Sequence, residues 1–289
     1  MEENNNKKTL IVVPARTGKG GIYNFYENLK QHLPSGYKLY YLRVNKKASN
    51  KFVGTFIHFV NIYKKLQSRE YTKIILNPSL NLNAVIRDSL IILIAFVLKV
   101  KVIVFWRGWN FKNEKYLKFP YKLLTFPLLN AKNAIILYSK IEVSLRKFGF
   151  KGKSFMATTI VNDDAFQYTS SQDGQSRNLI FLSRVEVYKG VFELLQAYII
   201  LMKKYPDITL TIAGHGGAFE DVKQKIEKEN LKSVKMVGYV IGEAKYKLLA
   251  SSDVFLFPSY SEGMPNAVLE AMAIGLPIVT TKVGGLNDF

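Results

Sequence analysis

Short runs of β-branched and aromatic residues alternate with longer amphipathic runs along this chain, and no other feature of the sequence limits its fold so tightly. The runs at 8–13, 37–43, 72–76, 100–105, 134–138 and 153–156 read as strands, separated by helical patterns at 22–33, 54–69, 83–97, 114–130 and 140–148. A second series follows, with strands at 178–183, 207–213, 234–237 and 253–257 and helices at 191–204, 243–250 and 265–274. A chain that alternates strand and helix in this way builds stacked β-α units and parallel sheets. The expected class is therefore α/β, and 289 residues suffice for two Rossmann-like lobes with real cores.

The two series are separated by Thr169-Ser170-Ser171-Gln172-Asp173-Gly174-Gln175-Ser176, a polar and breaker-rich stretch. It places a first lobe at 1–168, a linker at 169–177 and a second lobe at 178–289. Charge changes near the same point. Residues 1–166 carry 28 Lys and Arg against 9 Asp and Glu, whereas 167–289 carry 13 of each, so the formal net charge of +19 belongs to the first lobe. A lobe this basic implies an anionic partner. Phe52, Phe56, Phe59 and Tyr63 stand beside Lys64 and Lys65, and Phe111, Tyr116, Phe119 and Tyr121 beside Lys112, Lys115, Lys118 and Lys122. Cations interleaved with large apolar side chains suit an anionic membrane surface. Nucleic acid is the alternative partner, but no helix-turn-helix, zinc-finger or aromatic ribonucleoprotein motif is found, so none is expected.

The longest apolar run, Leu90 to Leu98, is nine residues, well short of the roughly 20 that a membrane-spanning helix needs. The opening Met-Glu-Glu-Asn-Asn-Asn-Lys-Lys is unlike a signal peptide, and the absence of cysteine removes any disulfide or thiolate metal site. These features together predict a cytoplasmic protein, peripheral on the inner face of the cytoplasmic membrane.

Candidate site residues concentrate near the end of the sequence. Glu262 and Glu270 stand eight positions apart across the turn Gly263-Met264-Pro265-Asn266, which opens a helix predicted over 265–274. Pro265 suits a first helical position and Gly275 a helix stop. The positive end of such a helix favours an anion, and a diphosphate fits it. Arg184 and Lys189 flank another strand-to-helix loop, bringing two cations to a second site of the same kind. Gly20 and Gly21 close the loop after the first strand, and Gly214 opens the turn Gly214-His215-Gly216-Gly217. Such glycines allow backbone to approach a ligand closely. His215, His32 and His58 form no metal-ligand pattern, so no metal is expected. Arg107 follows a strand at its carboxyl end, where open α/β sheets place ligands, and its guanidinium fork fits phosphate or carboxylate.

The stretch FPSYSEGMPNAVLEAMAIGLPIVTTKVGG, with its E-x7-E spacing, resembles the signature of family 4 (group 1) glycosyltransferases, retaining nucleotide-sugar enzymes of the GT-B fold. The resemblance covers most of residues 178–286 and the first lobe only loosely. It implies a sugar transfer from a UDP- or GDP-sugar, used as substrate with no other cofactor, to a saccharide or lipid-linked saccharide acceptor in cell-surface polysaccharide or lipopolysaccharide synthesis. Carried over residue by residue, it puts Arg184 and Lys189 on the pyrophosphate and Glu270 on the ribose hydroxyls. Glu262 and the turn Gly263, Met264, Pro265 and Asn266 then hold the sugar and distal phosphate, Tyr239 and Val240 lie beside the base, and Gly20, Gly21 and Gly214 border the donor. The implied chemistry is front-face attack, with the leaving phosphate accepting the proton. Many relatives carry histidine where Arg107 stands, which points to a different donor sugar or an anionic acceptor. Relatives also continue past Val283-Gly284-Gly285, so the second lobe is expected to be incomplete, with a truncated, inactive relative as the alternative.

Overall fold

The computed structural model describes residues 8–15, 21–43, 51–170 and 177–288. The chain divides into two compact units, with the boundary between Thr159 and Ile160.

In the first unit, β1 (Lys8–Ala15), α1 (Gly21–Leu29), β2 (Tyr37–Arg43), α2 (Lys51–Gln67), β3 (Tyr71–Leu76) and α3 (Leu82–Val97) come first. They are followed by β4 (Lys101–Trp106), α4 (Lys122–Leu129), β5 (Asn133–Ile136), α5 (Ser139–Lys147) and β6 (Lys153–Met156). The six strands form one sheet in the order β2-β1-β3-β4-β5-β6, all pairs parallel. Leu10, Ile11, Val12 and Val13 of β1 are consecutive and all buried. That continuous burial is what helices on both faces of a parallel sheet produce.

The helix expected over 114–130 is not continuous. Residues Phe111–Leu117 form a 3-10 turn, and α4 starts only at Lys122. Pro120 accounts for the break, because it lacks an N-H and its ring disfavours the helical conformation at the preceding Phe119. Elsewhere in this unit the expected elements and the observed ones differ only at their ends.

The second unit contains β7 (Asn178–Leu182), α6 (Val191–Lys204), β8 (Thr209–Ala213), α7 (Phe219–Lys228) and β9 (Val234–Gly238). It continues through α8 (Gly242–Ala250), β10 (Val254–Phe257), α9 (Asn266–Ile274) and β11 (Ile278–Thr280). Its sheet order is β11-β10-β7-β8-β9, again wholly parallel. Helix α7 is not among the elements expected from the sequence. Only Val222 of its ten residues is buried, so its pattern reads as polar.

This unit begins earlier than the polar run suggests. Ala165 is fully buried among Ile180, Phe255 and Ala271, and the Ser170 amide donates to Ile274 O at 3.0 Å. Residues 160–168 therefore pack with the second unit rather than the first, since an apolar contact outweighs the polar composition around it. Of the expected linker, 171–176 lies outside the described residues. Among the described residues no helix is long and apolar enough to cross a membrane.

Candidate functional site

The order of the second sheet fixes where its chemistry gathers. Strand β7 lies in the middle, with β8 and β9 on one side and β10 and β11 on the other. The chain thus reverses its direction of growth between β7 and β10, and in open parallel sheets ligands bind at the carboxyl ends of the two strands that flank such a reversal. The loop after β7 carries Arg184 and Lys189, and the loop after β10 carries Glu262.

These two loops are joined. Tyr260 N donates to Tyr188 O at 3.0 Å, and Lys189 Nζ pairs with Glu262 Oε1. Both side chains of that pair are about nine-tenths buried. The ammonium also lies 5.5 Å from the Tyr188 ring centre and 5.6 Å from that of Phe257. Lys189 and Glu262 are thus direct partners, joining the loops after β7 and β10. A pair this desolvated persists only with such geometry, because either charge alone would be costly to bury. Arg184 is exposed, and its Nη2 meets the Tyr188 hydroxyl.

Glu270 sits on α9, 8% exposed, and accepts a hydrogen bond from Lys245 Nζ of α8 at 2.7 Å. Burial raises its carboxyl above the usual range, and Lys245 opposes that shift. Sequence reasoning misses Lys245 because nothing marks a lysine 25 residues upstream as the partner of Glu270. Helix α9 starts at Asn266, with Pro265 as its N-cap at φ −77° and ψ 115°. Pro265 therefore stands one position before the helix, where its extended ψ turns the chain in from the loop. Gly275 closes the helix in the left-handed region at φ 77°, as expected.

Close backbone packing holds the two loops in place. Gly190 has φ +75°, and a Cβ there would fall 2.0 Å from Pro258 O of the β10 loop. Gly214 N donates to Gly238 O at 2.6 Å, tying the end of β8 to that of β9, and a Cβ on Gly214 would fall 1.7 Å from Ser183 O. Gly284 and Gly285 pack against the Glu262 loop. A Cβ on Gly284 would lie 2.4 Å from the carbonyl oxygens of both Glu262 and Gly263, one on Gly285 would lie 2.3 Å from Met264 Cε, and Gly285 N donates to Gly263 O at 2.7 Å. Sequence reasoning does not single out this clamp, although the Gly-Gly pair is its visible signal.

Tyr239 is half exposed just past β9, and Val240 packs partly into the core around Phe255. Gly21 begins α1, while Gly20 lies outside the described residues. A cavity of about 330 Å³ lined by Asn178, Thr209, Ser233 and Ser252 opens at the amino ends of the strands, the edge opposite these loops. Among the described residues no three His, Asp or Glu side chains gather in a way that would hold a metal ion.

Arg107 belongs to the first unit. Its backbone N donates to Pro78 O at 3.2 Å, and its guanidinium carbon lies 3.9 Å from the Phe25 ring centre and 4.7 Å from that of Phe105. Burial brings its pKa down to about 10.

Residues 164–289 match the family described as "Glycosyl transferases group 1". An uncharacterized glycosyltransferase of Methanocaldococcus jannaschii is 30% identical over 142 residues, covering 45% of this chain and 34% of that protein. The amylovoran biosynthesis glycosyltransferase AmsK of Erwinia amylovora is 32% identical over 121 residues, covering 39% of this chain and 30% of that one. The chain thus spans about a third of the length of these curated relatives. Anabaena Alr3699/HepE, solved in complex with UDP, superimposes with a TM-score of 0.69 at 16% identity over 97% of this chain and 82% of its own. That likeness shows the GT-B glycosyltransferase fold.

Proposed function

We propose, on the match of residues 164–289 to the group 1 glycosyl transferases, that the protein moves a sugar from a nucleotide-sugar to a saccharide or lipid-linked saccharide acceptor, with retention, in cell-surface polysaccharide or lipopolysaccharide synthesis. The observation that carries this reading is the buried Lys189–Glu262 pair at the reversal point of the second sheet. Lys189 and Arg184 supply fixed positive charge where a diphosphate leaving group gains negative charge, which is preorganised electrostatic catalysis. Glu262 orients the Lys189 ammonium and accepts hydrogen bonds from the sugar, while the amides of the 263–266 turn donate to the sugar and the distal phosphate. Glu270 receives the ribose hydroxyls, while Tyr239 and Val240 border the base. The leaving phosphate takes the acceptor's proton.

A panel of UDP-, GDP- and ADP-sugars in a thermal-shift assay tests the donor half of the proposal. One of them is expected to raise stability by about 2.7 kcal/mol at a hundredfold excess over its Kd. A panel without any shift would overturn it.

The acceptor half places the protein at an anionic membrane surface. In the first unit Phe96 of α3, Phe119, and Leu123 and Phe126 of α4 are exposed, at 79%, 84%, 77% and 59%. Lys99, Lys112, Lys118 and Lys122 are exposed along the same stretch. Apolar side chains entering the interface beside lysines, at about 1 kcal/mol per cation near an anionic surface, suit peripheral binding. In vesicle flotation the protein is expected to float with phosphatidylglycerol vesicles at low salt and to be released at high salt. Flotation with zwitterionic vesicles alone would count against this docking surface.

A further inference from the structure

Arg107 is held in a way that a structural arginine has no need of. It is 9% exposed, yet its Nε and Nη1 are buried with no hydrogen-bond partner among the described residues. Among the described residues no carboxylate is paired with it, and the titratable group that favours its charge is the Tyr26 hydroxyl. That hydroxyl is already engaged, donating to Asn77 Oδ1 at 2.8 Å, while Asn77 Nδ2 donates to Val12 O at 2.9 Å. Tyr26 and Asn77 are therefore engaged with other partners. The Phe25 and Phe105 rings attract its charge but offer no hydrogen-bond acceptor in the plane of Nε and Nη1.

A guanidinium never sheds its charge under ordinary conditions, so the cost of burying it unpaired cannot be escaped by deprotonation. A carboxylate or a backbone carbonyl would relieve that cost, and among the described residues neither meets Nε or Nη1. Arg107 also stands directly after β4, at the carboxyl edge where parallel sheets receive ligands. Unused, charged N-H donors at that edge match an oxyanion, which accepts charge-assisted hydrogen bonds.

We infer that Arg107 anchors an oxyanion of the acceptor, either the carboxylate of an acidic sugar or a phosphate ester, so that the first unit selects negatively charged acceptors. The inference rests on the reading of this unit as the acceptor-binding one. The excess of basic residues in the same unit adds an attractive field that would draw such a ligand in.

The test compares wild type with Arg107→Met and Arg107→Lys. Methyl glucuronide, glucose 1-phosphate and the neutral methyl glucoside are titrated as probes by NMR, with UDP binding followed in parallel. Wild type is expected to bind at least one anionic probe and not the neutral one. Arg107→Met should weaken that binding about 10- to 100-fold, as loss of a charged hydrogen bond does, and Arg107→Lys should fall between. Arg107→Met should also melt at a higher temperature than wild type, because it removes an unpaired buried charge, whereas loss of a structural arginine would lower the melting point. Which anion binds more tightly identifies the source of the charge. Equal binding of the neutral and anionic glycosides, or anion binding unchanged in Arg107→Met, would overturn the inference. Failure of UDP to bind wild type, with Arg107-dependent anion binding intact, would instead sink the sugar-transfer reading and leave the anion site standing.

Discussion

Lys189→Ala is expected to lower sugar transfer by about 10²–10³-fold or more, the range seen when a single preorganised group that stabilises developing charge is removed. The substitution also strands Glu262 as a buried, unpaired carboxylate. Breaking such a pair costs about 3–5 kcal/mol, and this one, with both side chains about nine-tenths buried, qualifies for it. Lost activity in the single variant would therefore have two readings, a missing cation or a disturbed loop. The double variant Lys189→Met with Glu262→Gln separates them. It removes both charges while keeping similar volume, so most of the stability should return, because a buried pair replaced by neutral groups is often energetically neutral. Activity should not return, since the leaving group still lacks its counter-charge. Recovery of turnover together with stability would show that Lys189 only holds the loop.

Gly190→Ala is expected to lower the melting temperature of the second unit by about 6–12 °C, from a loss of about 3 kcal/mol at 2–4 °C per kcal/mol. Two costs combine. A residue with a Cβ pays about 1–2 kcal/mol in the left-handed region that Gly190 occupies at φ +75°. The added carbon would also fall 2.0 Å from Pro258 O, a backbone atom that can move only if the β10 loop moves with it. Gly190→Asn distinguishes the two costs, because asparagine tolerates the left-handed conformation but carries the same Cβ. If the contact dominates, the asparagine variant should be no more stable than the alanine one, and both should weaken donor binding, since the displaced loop carries Lys189. A stable Gly190→Asn variant would show that strain alone requires the glycine there.

Much of this architecture is legible in the chain itself. The alternation of strands and helices predicts parallel sheets in two units, and the observed elements follow it closely, because burial on both faces of a sheet writes continuous apolar runs such as Leu10 to Val13 into the chain. Gly275 is legible as a helix stop because the left-handed conformation it adopts is a local demand of one residue. The helix expected over 114–130 fails on an equally local feature, Pro120, which is there to be read. The boundary at 160 is not legible. The polar composition around Ala165 conceals a side chain buried against α9.

Sequence by itself determined the kinds of residue available to the site: two glutamates in fixed spacing, two cations on a strand-to-helix loop, and an arginine at a strand end. Tertiary structure alone decided whom they meet. Lys189 and Glu262 are 73 positions apart and touch because β10 is hydrogen-bonded to β7, which follows from the order in which strands join the sheet. Glu270 finds Lys245 through the packing of α8 against α9, and Arg107, enclosed by Phe25 and Phe105, keeps Nε and Nη1 without a partner among the described residues. Residue types and local conformations are properties of short stretches of chain, and a sequence displays them directly. Charge pairing and desolvation depend on which distant segments the fold brings within a few ångströms, and only the folded chain decides that.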